Sequence, residues 1–341
     1  MRMNSQPRFD IAVLIGRFQP FHKGHLQLLE HALSVADSVV VVLGSSFQAR
    51  NAKNPFTWEE RAAMISATLA EATASRVSFA PVRDYYDDRK WSAAVTAAVC
   101  APGRDKPQRI ALVGFHKDAS SYYLGLFPHW AFVPAPEFGK VNATTIRQQL
   151  YEQPEQGGWR AELPPGVADY LQQWSMQPNY TAMREEHEHI IASKKKYGSG
   201  PFVTVDAVVT ARQHVLLVRR GRAPGKGLWA IPGGFLELHE RVQQGALREL
   251  REETGLALAD AELQQSLRGS AVFDHPERSL RGRTITHAHW FDLGERELPL
   301  VQGADDAAEA RWFALSELPG MEAQLFEDHF HILNHFLSIT A

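Results

Sequence analysis

Two histidines stand three positions apart where an apolar stretch gives way to a helical pattern, in the segment IGRFQPFHKGHLQLLEHAL (15–33). His22 and His25 are about one helical turn apart, so both imidazoles can face one point near the start of the helix. Gly24 leaves room for an anion to approach, and a helix start after a strand offers free backbone N–H groups. Two imidazole donors there would neutralise charge on a phosphoryl group in transfer. The segment therefore predicts a phosphoryl-transfer site.

A second group of reactive side chains lies in the far half of the chain. Glu249, Glu252 and Glu253 follow one another at i, i+3 and i+4, so their carboxylates share one helix face. Like charges this close repel unless a cation joins them, and carboxylate oxygens suit Mg²⁺ (or Mn²⁺), which bridges to substrate phosphates. Arg248 is placed to pair with Glu252 one turn on. We interpret the face as an exposed metal-binding stripe, on which Glu253 is also a catalytic carboxylate.

Length and composition restrict the class of protein. The 341 residues suffice for two domains with separate cores, and 44% hydrophobic with 22% charged residues is typical of soluble globular proteins. A net charge of −3 does not favour a nucleic-acid-binding protein. The single cysteine, Cys100, excludes a disulfide framework and fits a reducing compartment. With no secretory signal and no apolar run of roughly 18 residues, we predict a cytoplasmic protein without a nucleic-acid or membrane partner; a homo-oligomer stays open.

The elements that must position the two sites differ between the halves. In the first half, short β-branched runs alternate with helical stretches, which predicts an α/β domain with a parallel sheet and right-handed crossovers. The strand segments are FDIAVLIG, SVVVVLGSS, ASRVSFAPV and RIALVGF. The helical segments are HLQLLEHALSVAD, TWEERAAMISATLAEA, WSAAVTAAVCA and PPGVADYLQQW.

In the second half the composition changes. The run REEHEHIIASKKKYGSGP reads as a connecting helix and linker, and the i, i+2 spacing of His187 and His189 makes them a solvated face instead of a metal site. Mixed strands around one strong helix predict an α+β domain. The predicted boundaries are 1–178 for the first domain, 179–201 for the linker and 202–341 for the second domain.

The motif GRFQPFHKGH (16–25) resembles the signature of nucleotidylyltransferases, in the form found in archaeal-type nicotinamide mononucleotide adenylyltransferases. A distal segment, VNATTIRQQL (141–150), resembles the second motif of that superfamily, with an asparagine where serine is commonest. The resemblance implies a Rossmann-like fold and catalytic roles for His22, His25 and Arg147. It also implies substrate contacts at several motif positions: Gly16, Arg17, Phe18, Gly24, Asn142 and Thr144.

Between these motifs, further segments are similar to the same family. NPFTWEER follows Lys53, which stands where an arginine is often found. The resemblance places Asp84 and Trp91 at the nicotinamide end, with the indole stacked on a flat cationic ring, although a helix-borne core aromatic is the alternative for Trp91. Gly114, His116 and Lys117 follow a strand and would contact the phosphates of ATP.

The implied chemistry is adenylyl transfer, in which the 5′-phosphate of nicotinamide mononucleotide attacks the α-phosphorus of ATP and gives NAD and pyrophosphate. The nucleophile is already an anion, so no general base is required. Catalysis then comes from positioning, hydrogen-bond donors and Mg²⁺.

The acidic helix belongs to a longer pattern. Gly234, then Glu240, then RELREETGL (248–256) match every specified position of the Nudix box. APGKGLWAIPGGFLE resembles Nudix enzymes that hydrolyse ADP-ribose, in which Phe235 or Trp229 would contact a base unless either is a core residue. An acidic loop could hold the base that activates water, or could be a solvated turn; its residues are Asp305, Asp306 and Glu309.

Together the two resemblances predict a bifunctional enzyme that makes NAD and cleaves ADP-ribose to AMP and ribose 5-phosphate. Two enzymatic alternatives stay open: nicotinate mononucleotide as the acceptor, and a different nucleoside diphosphate for the second half. A third is a Nudix-type sensor that binds ADP-ribose and DNA. The intact box and the lack of a basic recognition segment after it favour the enzyme.

Overall fold

The structure, a computed structural model, describes residues 9–100, 108–115, 119–136, 139 and 141–340. The chain divides into two compact units, with the division between Arg184 and Glu185. The domain borders drawn from the sequence at 178 and 201 stay predictions. Of the helices in the described ranges, none is long and apolar enough to cross a membrane.

The first unit is built on a five-stranded sheet in which every pair is parallel, in the order β3-β2-β1-β4-β5. Its central strands are runs of β-branched residues buried on both faces, as parallel sheets require. The predicted α/β class with a parallel sheet is confirmed. The strands are β1 (Phe9–Gly16), β2 (Ala36–Leu43), β3 (Val77–Pro81), β4 (Ile110–Gly114) and β5 (Ala131–Pro134).

The helices that follow in this half of the chain are α1 (Lys23–Val35), α2 (Trp58–Ser66), α3 (Glu71–Ala74), α4 (Asp88–Val99), α5 (Ala143–Glu152), α6 (Pro165–Trp174) and α7 (Pro178–Tyr197). Helices α1 to α4 connect strands β1 to β4, whereas α5, α6 and α7 come after β5, and α7 extends beyond the division at Arg184. The prediction of one helix over TWEERAAMISATLAEA is wrong, because α2 ends before Ala67 and α3 starts after Ala70. Just after the end of α2, the Thr68 hydroxyl donates to the Ile65 carbonyl at 2.7 Å.

The second unit is built on a seven-stranded mixed sheet in the order β10-β11-β6-β7-β12, with β8 paired to β7 and β9 to β6. β6 and β11 are parallel and the other pairs are antiparallel. The strands are β6 (Phe202–Ala211), β7 (His214–Arg220), β8 (Trp229–Ala230), β9 (Gly233–Phe235), β10 (Leu267–Phe273), β11 (Thr284–Asp292) and β12 (Ala307–Ala314).

This sheet has a core on each face, because successive strand residues point to opposite sides. Val205 and Val209 of β6 pack with Leu247 and Leu250 of the main helix. Val208 packs on the opposite face, with the last helix. The helices are α8 (Val242–Thr254), α9 (Asp260–Gln265) and α10 (His329–Leu337). The predicted α+β class is confirmed.

Candidate active sites

The turn from β1 to α1 forms the first candidate site. Gly16 ends β1, and a side chain there would place its Cβ 2.9 Å from the ring of Phe18. Phe18 is buried with positive φ (52°), so its ring lies over the end of β1. Arg17 between them is exposed. Gly16, which has no side chain, and Phe18, whose backbone has a positive φ, together set the path of the chain into the helix.

His22 is the N-cap of α1, and it forms a reciprocal capping pair with His25. The His25 N–H donates to His22 Nδ1 at 3.4 Å, and the His22 N–H donates to His25 Nδ1 at 3.3 Å. The two rings stack with centroids 3.6 Å apart and planes 18° apart. Since both Nδ1 atoms accept a hydrogen bond, both neutral rings carry their proton on Nε2. Capping thus turns the pair into two parallel N–H donors, with Gly24 between them at the helix start.

Arg147 reaches this turn from α5, the helix of the distal motif. Its Nη1 donates to the Gln19 carbonyl at 2.5 Å, and its Nη2 donates to Thr144 Oγ1 at 3.3 Å. Asn142 caps α5 by accepting the Thr144 N–H at 2.8 Å on Oδ1, which is the role serine has at such positions. Arg147 is 9% exposed, and burial lowers its pKa to about 10. The structure therefore joins the two motifs through one buried cation.

Sequence reasoning missed Arg61, which is fully buried on α2. Its Nη1 donates to the carbonyls of Arg17 and Gly44, both at 2.7 Å, and so ties the end of β1 to the end of β2. Burial lowers the pKa of Arg61 to about 10. The signal was present in the sequence, because Arg61 shares a helix face with the apolar Met64 and Ile65.

The segment around Lys53 is held against the same turn. Gln19 is buried and makes two bonds with Phe56: its Nε2 donates to the Phe56 carbonyl at 2.8 Å, and its Oε1 accepts the Phe56 N–H at 3.0 Å. The Lys53 N–H donates to Asn51 Oδ1 at 3.0 Å. These bonds fix the backbone on either side of the predicted phosphate contact.

The predicted nicotinamide end lies at the ends of neighbouring strands. Asp84 accepts a hydrogen bond from Ser45 at 2.7 Å. Trp91 on α4 is half-buried and meets Tyr123 and Phe127 edge-on, at centroid distances of 6.1 and 5.8 Å. Trp91 thus packs against the core, and its predicted stacking role stays a prediction. Gly114 ends β4, while the predicted contacts at His116 and Lys117 lie outside the described residues.

In the second unit, Arg248 is the centre of an acidic cluster on α8. Its Nε and Nη2 bind Glu240 at 3.0 and 2.7 Å, and its Nη1 binds Glu249 at 2.9 Å and Glu252 at 2.8 Å. Its Nη2 also donates to the Phe235 carbonyl at 3.2 Å. The predicted pairing with Glu252 is present, and the forked contact with Glu240 explains the spacing of the Nudix box.

Glu253 departs from the prediction of an exposed stripe. It is 8% exposed and accepts the Gly233 N–H at 2.9 Å, because α8 turns this side of its surface towards β9. Burial raises the pKa of Glu253 to about 8 and also raises the pKa of Glu249. A Cβ on Gly234 would lie 2.5 Å from Glu249 Oε1, so the absence of a side chain at Gly234 lets the Glu249 carboxylate approach the strand.

The chemistry of this donor set fits a hard divalent cation. Glu249 and Glu253 are carboxylates with raised pKa values at one place on α8, where a cation would offset the burial of their charge. Within the described ranges no three His, Cys, Asp or Glu side chains converge on a common point. Arg248 and Gly233 engage the oxygens instead, so metal binding would require them to reorient.

The predicted base contacts differ in exposure. Phe235 is 51% exposed at the end of β9, whereas Trp229 packs edge-on against Phe313 with centroids 4.6 Å apart and belongs to the core. The acidic loop lies against the end of α8, where the Ala304 N–H donates to the Glu253 carbonyl at 3.1 Å. Its Asp306 pairs with Arg222 at 2.7 Å. Glu309 belongs to strand β12 and not to the loop, and it pairs with Arg219 at 3.6 Å.

A buried polar group on the other face of the sheet was also missed. Arg278 and Asp328 form a two-pronged ion pair at 2.8 and 2.7 Å with both side chains buried. Asp206 on β6 accepts a hydrogen bond from Thr286, and burial raises its pKa to about 6. These residues are scattered in sequence, so no local pattern could have grouped them.

Fold and site together define the class: a nucleotidyltransferase-like unit followed by a Nudix unit. Residues 13–106 match the family model described as cytidylyltransferase-like, and residues 200–336 match that of the NUDIX domain. The nicotinamide/nicotinic acid mononucleotide adenylyltransferase of Acinetobacter baylyi is 37% identical over 183 residues, covering 53% of this chain and 94% of that protein. The ADP-ribose pyrophosphatase of Methanocaldococcus jannaschii is 36% identical over 137 residues, covering 40% and 73%.

A solved structure spans both units. The bifunctional NMN adenylyltransferase/ADP ribose pyrophosphatase of Francisella tularensis, complexed with AMP and a manganese ion, has a TM-score of 0.90 and 37% identity. The alignment covers 97% of this chain and 99% of that one. The chain belongs to the family of bifunctional enzymes that join an NMN adenylyltransferase to a Nudix ADP-ribose pyrophosphatase.

Proposed function

We propose that the first unit transfers the adenylyl group of ATP to nicotinamide mononucleotide, giving NAD and pyrophosphate. The capping pair of His22 and His25 is the observation on which this rests, since it presents two Nε2–H donors at a helix start. The 5′-phosphate attacks the α-phosphorus, the bond to the β-phosphate oxygen breaks, and pyrophosphate leaves with the electron pair. Donors held in place before the reaction stabilise the charge that develops during this step.

Arg147 and Arg61 have different parts in this proposal. Arg147 adds positive charge beside the turn, and its hydrogen bond to Gln19 keeps it there. Arg61 positions the backbone of Arg17 without reaching the substrate itself, because it is fully buried. Asp84 and Trp91 are assigned to the nicotinamide end.

The test is a product assay with the full chain, ATP and Mg²⁺, supplied with either nicotinamide or nicotinate mononucleotide. We expect NAD and pyrophosphate in equal amounts from the nicotinamide form, detected by mass spectrometry. If only nicotinate mononucleotide reacts, the assignment of the acceptor is wrong. If neither reacts, adenylyl transfer itself is contradicted.

We further propose that the second unit hydrolyses ADP-ribose to AMP and ribose 5-phosphate with Mg²⁺ as its metal. The acidic cluster of Glu240, Glu249 and Glu252 around Arg248 supports this, together with Glu253 of the same helix, which lies against Gly233. Water attacks one phosphorus, the bridging P–O bond breaks, and the departing phosphate keeps the electron pair. When bound, the cation polarises the phosphoryl oxygens and lowers the pKa of water. Glu253 would hold the cation from the strand side, and Phe235 would contact the adenine.

The second test uses ADP-ribose in H₂¹⁸O, with and without a chelator. We expect equal amounts of AMP and ribose 5-phosphate, one of them labelled, and no product after chelation. Mg²⁺ and Mn²⁺ added back separately identify the metal that supports the higher rate. If the chain cleaves another nucleoside diphosphate but not ADP-ribose, the assignment of ADP-ribose as the substrate is wrong.

The small-molecule partners are then ATP, nicotinamide mononucleotide, NAD and ADP-ribose. We propose a cytoplasmic location and no nucleic-acid or membrane partner. The sensor alternative would require ADP-ribose-sensitive DNA binding, which a gel-shift assay tests.

A further inference from the structure

The loop that precedes α2, residues 50–56, is closed by the side chain of its own first residue. Arg50 Nη1 donates to the Pro55 carbonyl at 2.6 Å and to Glu60 Oε2 at 2.5 Å, and its Nη2 donates to Glu60 Oε1 at 3.0 Å. The planar guanidinium fork can meet a carbonyl and both oxygens of a carboxylate at once. Arg50 therefore joins the start of the 50–56 loop to its end.

Glu60, the anchor for Arg50, is itself held by the first turn of α2. The Thr57 N–H donates to Glu60 Oε2 at 2.8 Å, and the Glu60 N–H donates to Thr57 Oγ1 at 3.4 Å, which together form a capping box. Both terminal nitrogens of Arg50 bind protein acceptors, and the Glu60 carboxylate offsets its charge. Arg50 is thus placed to shape the loop instead of binding a phosphate.

Inside the loop the backbone forms a tight turn around Lys53. The Asn51 N–H donates to the Asn54 carbonyl at 3.3 Å, and the Asn54 N–H donates to the Asn51 carbonyl at 3.0 Å. Asn51 Oδ1 accepts the N–H groups of Lys53 at 3.0 Å and of Asn54 at 2.8 Å. The Ala52 carbonyl accepts the hydroxyl of the buried Tyr151 of α5 at 3.3 Å. The direction in which Lys53 leaves the backbone is therefore set by the closed loop.

The last residue of the loop lies on the first candidate site. Phe56 makes two hydrogen bonds with the side chain of Gln19, in the turn from β1 to α1, and the Gln19 carbonyl accepts from Arg147. One end of the loop is thus fixed to this turn, and Arg50 fixes the other end to α2. Lys53 lies between these two attachments, so the closure by Arg50 determines where Lys53 stands relative to the site.

We propose that Arg50 is a positioning residue for NAD synthesis, which closes the 50–56 loop on Glu60 so that Lys53 meets a substrate phosphate. The proposal rests on the adenylyl transfer proposed above and on Lys53 as a phosphate contact. Arg50 acts through the geometry of its fork and not through its charge, because Glu60 offsets that charge. Position matters in such a site, since a misplacement of about 1 Å costs on the order of 10²-fold in rate.

The test is a double-mutant cycle in the full chain with Arg50→Met, Lys53→Met and the double variant. The readout is kcat/KM for ATP with Mg²⁺ and saturating nicotinamide mononucleotide. We expect Arg50→Met alone to lower kcat/KM about tenfold, but by less than about twofold in the Lys53→Met background, where no ammonium is left to position. Equal factors in both backgrounds would overturn the proposal, as would a Lys53→Met variant with unchanged kcat/KM.

Arg50→Lys separates position from charge, and it decides the matter if Arg50→Met does not fold. A single ammonium cannot span the acceptors of the fork, so we expect the same loss of about tenfold; unchanged kcat/KM would overturn the proposal. The control is Arg76→Met, which removes an arginine that donates to the carbonyls of Leu33, Ala36 and Asp37. It should lower Tm but leave kcat/KM within about twofold. An equal loss of activity in Arg76→Met would show general destabilisation and contradict the role of Arg50.

The same variants separate this proposal from the assignment of the reaction. If the unaltered chain makes NAD and the effects of Arg50→Met and Lys53→Met are independent, the positioning role is wrong and the activity stands. If the unaltered chain makes no NAD, the cycle is measured by calorimetric binding of ATP. Binding that Arg50→Met weakens only when Lys53 is present would support the positioning role and leave the assigned reaction wrong, whereas independent effects on binding would overturn both.

Discussion

The rings of His22 and His25 use opposite nitrogens for two tasks. Nδ1 accepts a backbone N–H and caps the helix, while Nε2 carries the proton that can meet a phosphate. Side-chain amides can separate these tasks, because asparagine places an acceptor near the position of Nδ1 and glutamine places a donor near that of Nε2. Folding and chemistry at one residue can therefore be measured apart.

For His25→Asn we expect kcat for NAD synthesis to fall by roughly two to three orders of magnitude, as when an oriented oxyanion donor is lost. Stability should change little, since the cap is kept, whereas His25→Ala should also lose about 1 kcal/mol of helix capping. His25→Gln should recover part of kcat. Steady-state kinetics measure kcat, and thermal melts measure stability. A near-normal kcat in His25→Asn would show that the histidine pair does not act in the reaction.

Arg248 is the residue that keeps the carboxylates of α8 together. With Arg248→Met we expect a loss of about 2 kcal/mol in the stability of the second unit, since Glu240 and Glu249 lose their charged partner in a partly buried place. Added Mg²⁺ should raise Tm more in this variant than in the unaltered chain. Arg251→Met removes a partly exposed pair with Asp260 and should cost under about 1 kcal/mol. An equal decrease of Tm in Arg248→Met and Arg251→Met would contradict this role of Arg248.

At the scale of elements, strand β6 separates two environments. Val205 and Ala207 face the core under α8, and Asp206 and Val208 face the side of α10. Burial of the charged Arg278 and Asp328 on the α10 side costs desolvation energy, which the two hydrogen bonds between them offset. A further positive charge at the start of α10, beside Arg278, would therefore be unfavourable.

His329, in the first turn of α10, gives a pH prediction. Its Nδ1 accepts the Ile231 N–H at 2.9 Å, and burial, followed by the charge of Arg278, lowers its pKa well below 6.5. The unfolded chain therefore binds a proton below pH 6.5 that the folded unit resists. The contribution of His329 to stability is complete above that pH and falls by about 1.4 kcal/mol per pH unit below it, until the folded group titrates. The raised pKa values of Asp206 and Glu253 contribute in the opposite direction, so the effect of His329 is measured as a difference between the unaltered chain and a His329 variant.

Native-state hydrogen exchange of α10 amides at pH 7.0 and 5.5 measures this difference. His329→Asn keeps an acceptor for Ile231 without a titrating ring, so acidification should lower its stability less, or raise it more, than that of the unaltered chain. The exposed His239→Asn serves as the control and should behave like the unaltered chain. An equal change of stability in all three proteins would show that His329 does not carry the effect.

At the scale of the whole molecule, each unit has its own sheet and its own candidate site. Glu253→Gln should abolish most ADP-ribose hydrolysis and leave NAD synthesis within about twofold, because the two candidate sites belong to separate compact units and sites without shared partners behave additively. The fold should survive, because the amide oxygen can still accept the Gly233 N–H. Paired assays on one preparation measure both rates. Loss of both activities in a folded variant would show that the units are coupled.

Much of this protein could be predicted from local sequence. His22, Gly24 and His25 lie within one turn, and the carboxylates of RELREETGL share a helix face, so spacing alone predicted both groups. Fold class followed from alternating strands and helices. The division of α2 from α3 was missed, because the segment between them contains no glycine or proline that would mark a break in the helical pattern.

What the sequence by itself determined is therefore the chemistry within single elements, where backbone geometry fixes which side chains are neighbours. Tertiary structure alone decided the rest: that Arg61 and Arg147 are buried against the first turn, that Glu253 lies inward on Gly233, and that Arg220 meets Arg281 over Phe326. Each of these depends on segments distant in the chain. Burial and pairing of charge arise only when such segments pack, because a charged side chain in the unfolded chain is fully hydrated and has no preferred partner.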